Sequence, residues 1–545
     1  MDATRNTGDL RRRNLLRMAT AGVAGAAVGG TALAAPAAAN PPFVPLGSLV
    51  VDVSDHGAVG DGTGDDTAAI QAALTAGKGG IVFLPPGTYP VSTMLTVYSG
   101  TTVLATATTV VRRIAGPCLM GNGELGDFTA TGYDGESNIV IRGGVWDVNA
   151  GQVAASGAGF GLSHGENVSL YDLRVLDVQR HHAIEVNGMK NVRIVNCRFE
   201  GFSDPDGNRG YSEAVQMDYA GGPSHFGLFG APDYTGCQDI EFTGCYCGPS
   251  DQFPSYPRMV GSHGGPNGHQ HTGLRITSSY AEGCTEWAIR LYDWLDALVE
   301  GNQVVGGGGG IQIGPAGVQS GGNIIVRGNT VRRLAGVSEA AGRPPDAAIC
   351  VGRLNESRTR HLVLDGNVVE DVRMEGIAVY RTDGAVVANN IVTGCDGVGI
   401  RVNRSPRALV RGNNVATPGR EGVVVHVGSD YTRVSDNILK DSATYGVSVT
   451  DAVTDVVVRD NTVLGAGRTT GTVASLRVSN NANRTALVGN TVRRRGSGNE
   501  AAYGISITST CAGTWYTGND LRDAGPSGAA NDAGTGSSTN PGGPT

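Results

Sequence analysis

The chain has 545 residues, with 42 Lys and Arg against 50 Asp and Glu, a formal net charge of −8 and 40% hydrophobic residues, a composition that forms a core of its own. An acidic balance argues against a nucleic-acid partner, whose binding rests on neutralising phosphates. No apolar run reaches spanning length, so no membrane insertion is expected. Glycine is the outlier at 85 residues, about 16% against a typical level of roughly 7%, which demands frequent turns and leaves little room for long helices.

In chain order, residues 1–39 come first, with Arg11-Arg12-Arg13-Asn14-Leu15-Leu16-Arg17, a weakly apolar stretch from Met18 to Ala35, and Ala-x-Ala sites at Ala32–Ala34 and Ala37–Ala39. This pattern resembles a twin-arginine export signal. The resemblance implies a mature chain starting near Asn40 and a secreted, extracellular protein. Nine cysteines are an odd number, with no CxxC pair and no four-ligand zinc spacing. Neither a structural metal nor an obligatory disulfide is expected.

The next segment runs from Asp52 through Asp61, Asp65, Asp66 and Thr67, continues as Ala68–Leu74, and ends on Gly80-Ile81-Val82-Phe83-Leu84-Pro85-Pro86-Gly87-Thr88-Tyr89. Asp65 or Asp66 is placed to N-cap a short helix around Ala68–Leu74, which would plug the open end of a strand stack. The aspartate spacing misses the EF-hand pattern, so capping is assigned here rather than calcium binding.

Further along, Gly-Asn-x-Val-like tetrads recur, with Asn at 302, 329, 367, 389, 413, 437, 461, 490 and 519, including three successive steps of 24 residues. Between them stands a second motif, small residue–aliphatic–x–aliphatic, as in Gly310–Ile313, Gly376–Val379, Gly399–Val402, Gly422–Val425 and Gly446–Val449. Each repeat therefore holds two or three very short strands, with alternate side chains in and out and Gly or Asn at the positive-φ corners. No helices separate the strands, the leucine framework of a leucine-rich repeat is missing, and a propeller blade needs roughly 40–45 residues. Rungs of this length, stacked at roughly 4.8 Å, predict an all-β fold, a single-stranded parallel β-helix with aliphatic ladders inside and an Asn ladder at one corner.

Together with these rungs, the Asp52–Tyr89 segment closely resembles the opening module of the pectate-lyase-like right-handed β-helix superfamily. That superfamily includes polysaccharide lyases, polygalacturonase-like hydrolases and phage tailspikes. The expected organisation is an export signal over 1–39, a β-helix over 40–525 and a disordered low-complexity tail over 526–545. Monomer and homotrimer both remain open.

Outward positions turn bulky, charged and aromatic between about His181 and Asp296. With the aliphatic-x-aliphatic motif as a ruler, Glu185, Gln216, Arg290 and Gln312 form one outward ladder, with Asn187, Asp218 and Tyr292 two residues further on the same face. Stacking would thus build a polar groove for a polymer. The Tyr211–Tyr219 rung, Gly248–Asp251, Gly261–Gly264 and Ala288–Tyr292 are similar in order to the motif-bearing rungs of polygalacturonases, with Ser212-Glu213 replacing the last two residues of the Asn-Thr-Asp triplet. This implies shared architecture with a different sugar specificity.

Glycoside hydrolysis needs an acid for the leaving oxygen and a carboxylate to activate water or attack. Glu213, Asp218 and Asp251 are the candidates, with His263 as a proton-relay or substrate residue. Glu213 has odd separation from Asp218 and reaches the groove only if the chain bends near Ala214. Glu185, Arg290, Tyr292, His271, Trp287 and Tyr219 are the candidate substrate contacts. A zinc reading of His263, His269 and His271 is set aside because no Glu stands in the His-Glu-x-x-His manner. The leading expectation is a secreted glycoside hydrolase of a polysaccharide or oligosaccharide, without cofactor. The runner-up is a polysaccharide lyase or epimerase, with His263, Tyr211 or Tyr219 as base and Arg290, Arg258 or bound calcium on the uronate carboxylate. The third is a glycan-binding solenoid without catalysis.

Overall fold

The structure is a computed structural model that describes residues 50–221, 226–266, 268–314, 321–336, 347–352 and 358–539. The export-signal expectation for 1–39 lies outside the described residues.

Short parallel strands stack into three sheets, of 16, 18 and 15 strands among the described residues. Each rung visits sheet 1, then sheet 2, then sheet 3, and returns one strand spacing higher. This is the expected single-stranded right-handed parallel β-helix. Its core is made of ladders. Ile184, Val215, Val260, Ile289, Ile311, Ile349, Ile377, Ile400, Val423 and Val447 sit opposite one another in successive strands of sheet 1, and all are buried. Burial of each such side chain contributes about 1.5–3 kcal/mol, which is why the motif tolerates no polar residue there.

The Asn ladder is present and continuous from Asn302 to Asn519. Each Asn Oδ1 accepts from the backbone N–H of the Asn one rung below, as in Asn413 N to Asn437 Oδ1 at 2.9 Å, while its Nδ2 donates to a carbonyl across the corner, Val387 O at 2.9 Å. One member differs from expectation. The ladder runs through Asn390, whereas Asn389 is the left-handed residue just before it, with φ of 56°. Gly301, Gly328, Gly366, Gly412, Asp436, Asp460, Gly489 and Gly518 hold that same left-handed position. This explains the Gly-Asn signature: the first residue makes the positive-φ turn and the second bonds along the stack. Upstream, Ser279 and Cys245 take the ladder position, with Cys245 N donating to Ser279 Oγ at 3.1 Å. All nine cysteines are buried, and among the described residues none forms a disulfide.

The helix α1 (Thr67–Ala76) buries Ile70, Ala73 and Leu74 in the core at the N-terminal end of the stack. Gln71 clamps the edge strand, accepting from Thr96 N at 2.8 Å and donating to Thr96 O at 3.2 Å, so the plug also satisfies backbone groups that an open edge would expose. Asp65 accepts from Thr67 N at 3.0 Å, and Asp66 accepts from Val59 N at 2.7 Å.

The C-terminal boundary is corrected. Gly528–Asp532 forms a further strand of sheet 1, paired with Tyr503–Ile507, so ordered solenoid extends past Gly525. The weakly apolar sequence Gly528-Ala529-Ala530-Asn531-Asp532 carries no aliphatic motif; the pairing comes from the strand beneath it. Among the described residues no helix is long and apolar enough to cross a membrane.

Candidate functional site

Four successive strands of sheet 1 carry the outward polar residues: β1 (Ile184–Asn187), β2 (Glu213–Asp218), β3 (Arg258–Ser262) and β4 (Trp287–Tyr292). Glu185 lies opposite Gln216, Gln216 opposite Gly261, Gly261 opposite Arg290 and Arg290 opposite Gln312. The expected ladder therefore exists, with one rung more than anticipated. Strand β3 escapes the motif because Ser262 stands where an aliphatic residue is usual. Its buried Oγ is satisfied by Tyr292 N at 2.8 Å and Trp294 Nε1 at 3.0 Å.

Strict alternation would turn Glu213 inward. Instead Ala183–Ile184, Ala214–Val215 and Met259–Val260 each place two adjacent residues in the core, so every one of these strands kinks at its first turn. The residues before the kink, His182, Glu213 and Arg258, consequently face outward beside Glu185, Gln216 and Asp218. The bend that Glu213 required is real.

A cavity of about 210 Å³ opens on this face, lined by both carboxylates of β2 together with Gln216, His263, Glu185, His181, His182, Arg209 and Tyr211. Asp218 is buried at 4% exposure, and its Oδ2 lies 2.9 Å from His263 Nδ1 and 2.9 Å from Gln216 Nε2. Burial acts to raise the Asp218 carboxyl, but the hydrogen bond and charge of His263 outweigh it and hold it below the ordinary range. The reverse holds for His263: burial acts to lower it, and the Asp218 hydrogen bond with the charges of Glu213 and Asp218 raises it. With Nδ1–H given to Asp218, Nε2 is the free nitrogen of an imidazole whose side chain is 40% exposed.

Glu213 is different. It is fully buried, and Arg258 Nη1 donates to its Oε1 at 2.5 Å while Arg258 Nε donates to Glu286 Oε2 at 2.9 Å. Its Oε2 is enclosed, 3.5 Å from His182 Nδ1, and has no hydrogen bond among the described residues. Gly261 leaves room for this carboxylate, since a Cβ there would come within 2.5 Å of Glu213 Cγ.

At the N-terminal end of the cavity, His182 Nδ1 sits 2.9 Å from the Glu213 carbonyl oxygen and 3.3 Å from the Glu213 backbone N–H, and Arg209 Nη2 lies 3.4 Å from its Nε2. Burial pushes His182 down to about 3 and His181 well below its ordinary value. Burial pushes Glu185 well above the usual carboxylate range, reinforced by the charge of Asp218. Arg209 donates to Ser212 Oγ at 3.2 Å and forms no ion pair among the described residues. Its guanidinium lies 5.2 Å from the ring centre of Tyr211, which is 46% exposed.

Other expected site residues stand elsewhere. Asp251 is exposed in the turn after Tyr246–Gly248 of sheet 3 and does not line the cavity. His271 is fully buried, held between Tyr219 at 4.0 Å and Trp294 at 4.8 Å, with Nδ1 accepting from Cys237 N at 2.9 Å. Tyr219 is buried and donates to His269 O at 3.0 Å. Both pack the corner after sheet 1 instead of meeting a ligand. Trp287 is buried with Ala347, Cys350, Ala378 and Tyr380. Arg290 donates to Tyr292 Oη at 2.8 Å; with Gly261 between it and Gln216, a bridge to Glu185 is out of reach. His181, His182 and Arg209 were missed. The signal for the histidines was their place directly before the Ala183-Ile184 core pair.

The described residues 226–237 include a segment that lies over the face N-terminal to the cavity. Phe226, Leu228 and Phe229 pack there on Met94, Cys118 and Ala158.

Two family models match: "Rhamnogalacturonase A/epimerase, pectate lyase-like" over residues 50–113, and "Right handed beta helix region" over residues 347–521. These matches support the right-handed β-helix superfamily. The chain is similar to plasmin and fibronectin-binding protein A of Streptococcus pneumoniae, 27% identical over 285 residues, which is 46% of this chain and 39% of that protein. It is similar to mannuronan C5-epimerase AlgE1 of Azotobacter vinelandii, 59% identical over 44 residues, 8% of this chain and 3% of that one. The matched stretches thus span well under half the length of either relative. Among solved structures, the N-terminal fragment of bacteriophage phi29 gene product 12 shares the fold, with a TM-score of 0.51 at 17% identity over 88% of this chain and 80% of that one.

Proposed function

We propose that the cavity abstracts the proton next to the carboxylate of a uronate-containing glycan, leading to β-elimination or to epimerisation. The observation that carries this reading is Arg209, a cavity cation with no carboxylate partner among the described residues, beside an imidazole poised on a buried aspartate. Asp218 fixes the tautomer of His263, so Nε2 is the base and takes the proton. Arg209 binds the substrate carboxylate and stabilises the charge that moves onto it. If the bond to the neighbouring glycosidic oxygen then breaks, that oxygen leaves with a proton from Tyr211 and an unsaturated uronate remains. If Tyr211 instead gives its proton to the opposite face of the same carbon, the sugar is epimerised.

Hydrolysis, the leading expectation from sequence, fits less well. Of the three carboxylates expected from sequence, Glu213 is locked by Arg258 with no solvent access and Asp251 is outside the cavity, which leaves Asp218 alone among them. The short likeness to a mannuronan C5-epimerase and the match to a family model that includes epimerases support a uronate substrate, and a secreted location follows from such a substrate. The likeness to a plasmin and fibronectin-binding protein supports the rival, a surface-binding role without catalysis.

The test incubates the chain from Asn40 with alginate, pectate and neutral glycans, following ultraviolet absorbance of unsaturated uronate, reducing ends, and deuterium uptake from D₂O. Absorbance or deuterium uptake is expected, and His263→Ala or Asp218→Asn should reduce it by roughly 10²–10⁴-fold with an unchanged circular dichroism spectrum. Reducing ends without either signal would make it a hydrolase. Silence in all channels would leave the binding role.

A further inference from the structure

His181, His182 and Glu185 form a compact donor set on the cavity wall, their ligand atoms within 4.8 Å of one another. Glu185 Oε1 lies 3.5 Å from His181 Nδ1 and 3.8 Å from His182 Nε2. At metal–ligand distances of about 2.0–2.2 Å, the edge of a tetrahedral zinc site is about 3.4 Å, so small side-chain rotations bring these atoms into register. The kink at Ala183-Ile184 is what places His182 and Glu185 on one face.

Two further observations point to a ligand. Glu185 has a side chain only 4% exposed and makes no hydrogen bond among the described residues; its Oε2 and His181 Nδ1 are enclosed without a hydrogen-bond partner there, His181 Nδ1 approaching Glu185 Oε1 no nearer than 3.5 Å. Buried polar atoms are seldom left so, because each orphan gives up its hydrogen bonds to water without replacing them. The second observation is His182, whose Nδ1 is held by the Glu213 backbone, 2.9 Å from its carbonyl oxygen and 3.3 Å from its N–H, leaving Nε2 toward Glu185 at 3.8 Å. An imidazole oriented by a backbone carbonyl through its other nitrogen is the usual arrangement behind a metal-binding histidine.

We propose that His181 Nδ1, His182 Nε2 and Glu185 bind one divalent cation of the zinc class, with the remaining coordination position open to the cavity. Two imidazoles and one carboxylate favour such an ion over calcium, which takes six to eight oxygens. Arg209 Nη2, 3.4 Å from His182 Nε2, is the competing occupant and must swing toward the cavity when the ion enters. The proposal stands apart from the catalytic reading, since its readout is bound metal and not turnover.

The experiment uses the chain from Asn40 without a histidine tag, stripped with chelator and titrated with Zn²⁺, Co²⁺ and Ca²⁺ by calorimetry, with metal content measured by mass spectrometry. One Zn²⁺ per chain is expected, as are the visible bands of four-coordinate Co²⁺. Glu185→Gln and His182→Ala should each weaken Zn²⁺ binding more than about tenfold. His269→Ala, outside the cavity, should leave it unchanged, and Arg209→Ala should strengthen it. Absence of stoichiometric Zn²⁺, binding of Ca²⁺ alone, or full binding by Glu185→Gln would overturn the site. Should His182→Ala fail to fold, the Glu185→Gln and Arg209→Ala pair still decides.

Discussion

The rungs from Ile184 to Tyr292 and those from Glu375 to Ile507 share one interior and differ on the outside. Both keep the same aliphatic ladder in sheet 1. In the later rungs most turns are short, as at residues 412–413 between Leu409–Arg411 and Asn414–Ala416, with longer ones at 465–473 and 494–502, and outward charges such as Arg401 and His426 meet local carboxylates while Arg477 lies over the Tyr445 ring. Arg401 grips Glu375 through two nitrogens, and His426 Nε2 meets Asp451 Oδ2 at 2.7 Å. In the earlier rungs the turns 204–212 and 219–237 are long, and among the described residues Arg209 lacks a carboxylate partner and Glu185 lacks any hydrogen bond. Charge on a solenoid face is therefore a poor guide to chemistry. Unpaired charge beside a long turn is a better one.

The largest expected effect comes from Arg258. Arg258→Met leaves Glu213 and Glu286 buried without their cation, and urea unfolding should show a loss of about 3–5 kcal/mol. A loss below about 1 kcal/mol would mean that Arg258 does not fix Glu213, and hydrolysis would return as a contender.

A second effect is acid sensitivity confined to the site region. Burial pushes His271 down to about 4 in the folded chain, against an unfolded value near 6.5. The unfolded chain takes the proton first, so this contribution to stability is complete above about pH 6.5 and is lost as pH falls toward 4, by about 3 kcal/mol in total. His271→Asn should flatten the fall in unfolding free energy between those limits. Equal slopes in both proteins would locate the acid sensitivity elsewhere.

The repeat half is sharpened by Asn413→Ala, which removes the Oδ1 that accepts from Asn390 N at 3.0 Å and Asn390 Nδ2 at 2.9 Å. A loss of about 1–3 kcal/mol is expected, with glycan turnover unchanged. If turnover fell in parallel, the two regions would not be independent.

Much of the fold was legible because a solenoid repeats its physics. The Gly-Asn pairs announce a left-handed corner followed by a stacking amide, and Ile-x-Ile announces an inward pair. Legibility ended where one residue broke the rule locally. Ser262 hid a whole rung, the choice between Asn389 and Asn390 rested on which backbone turns left-handed, and the strand Gly528–Asp532 has no pattern of its own. In the site, parity placed Asp218 correctly and exposed the problem with Glu213. It could not reveal that the kink shared by β1, β2 and β3 lifts His182 and Arg258 to the same face. Asp251, His271 and Tyr219 were chosen for residue type near the right rungs, and type alone does not say whether a side chain ends in a turn, a corner or a cavity.

The smallest effect tests the comparison from its quiet side. Arg373 Nη1 and Asp396 Oδ2 are 3.3 Å apart with side chains 72% and 55% exposed. In water of high dielectric the attraction is modest, salt screens it, and two flexible side chains lose freedom to form it. Arg373→Ala should therefore shift unfolding by no more than about 0.5 kcal/mol, with the shift shrinking in high salt. A change above about 1.5 kcal/mol would mean that paired charges on the repeat face carry real structural weight. The distinction between a neutralised outer face and an unpaired one would then need another physical basis than solvation.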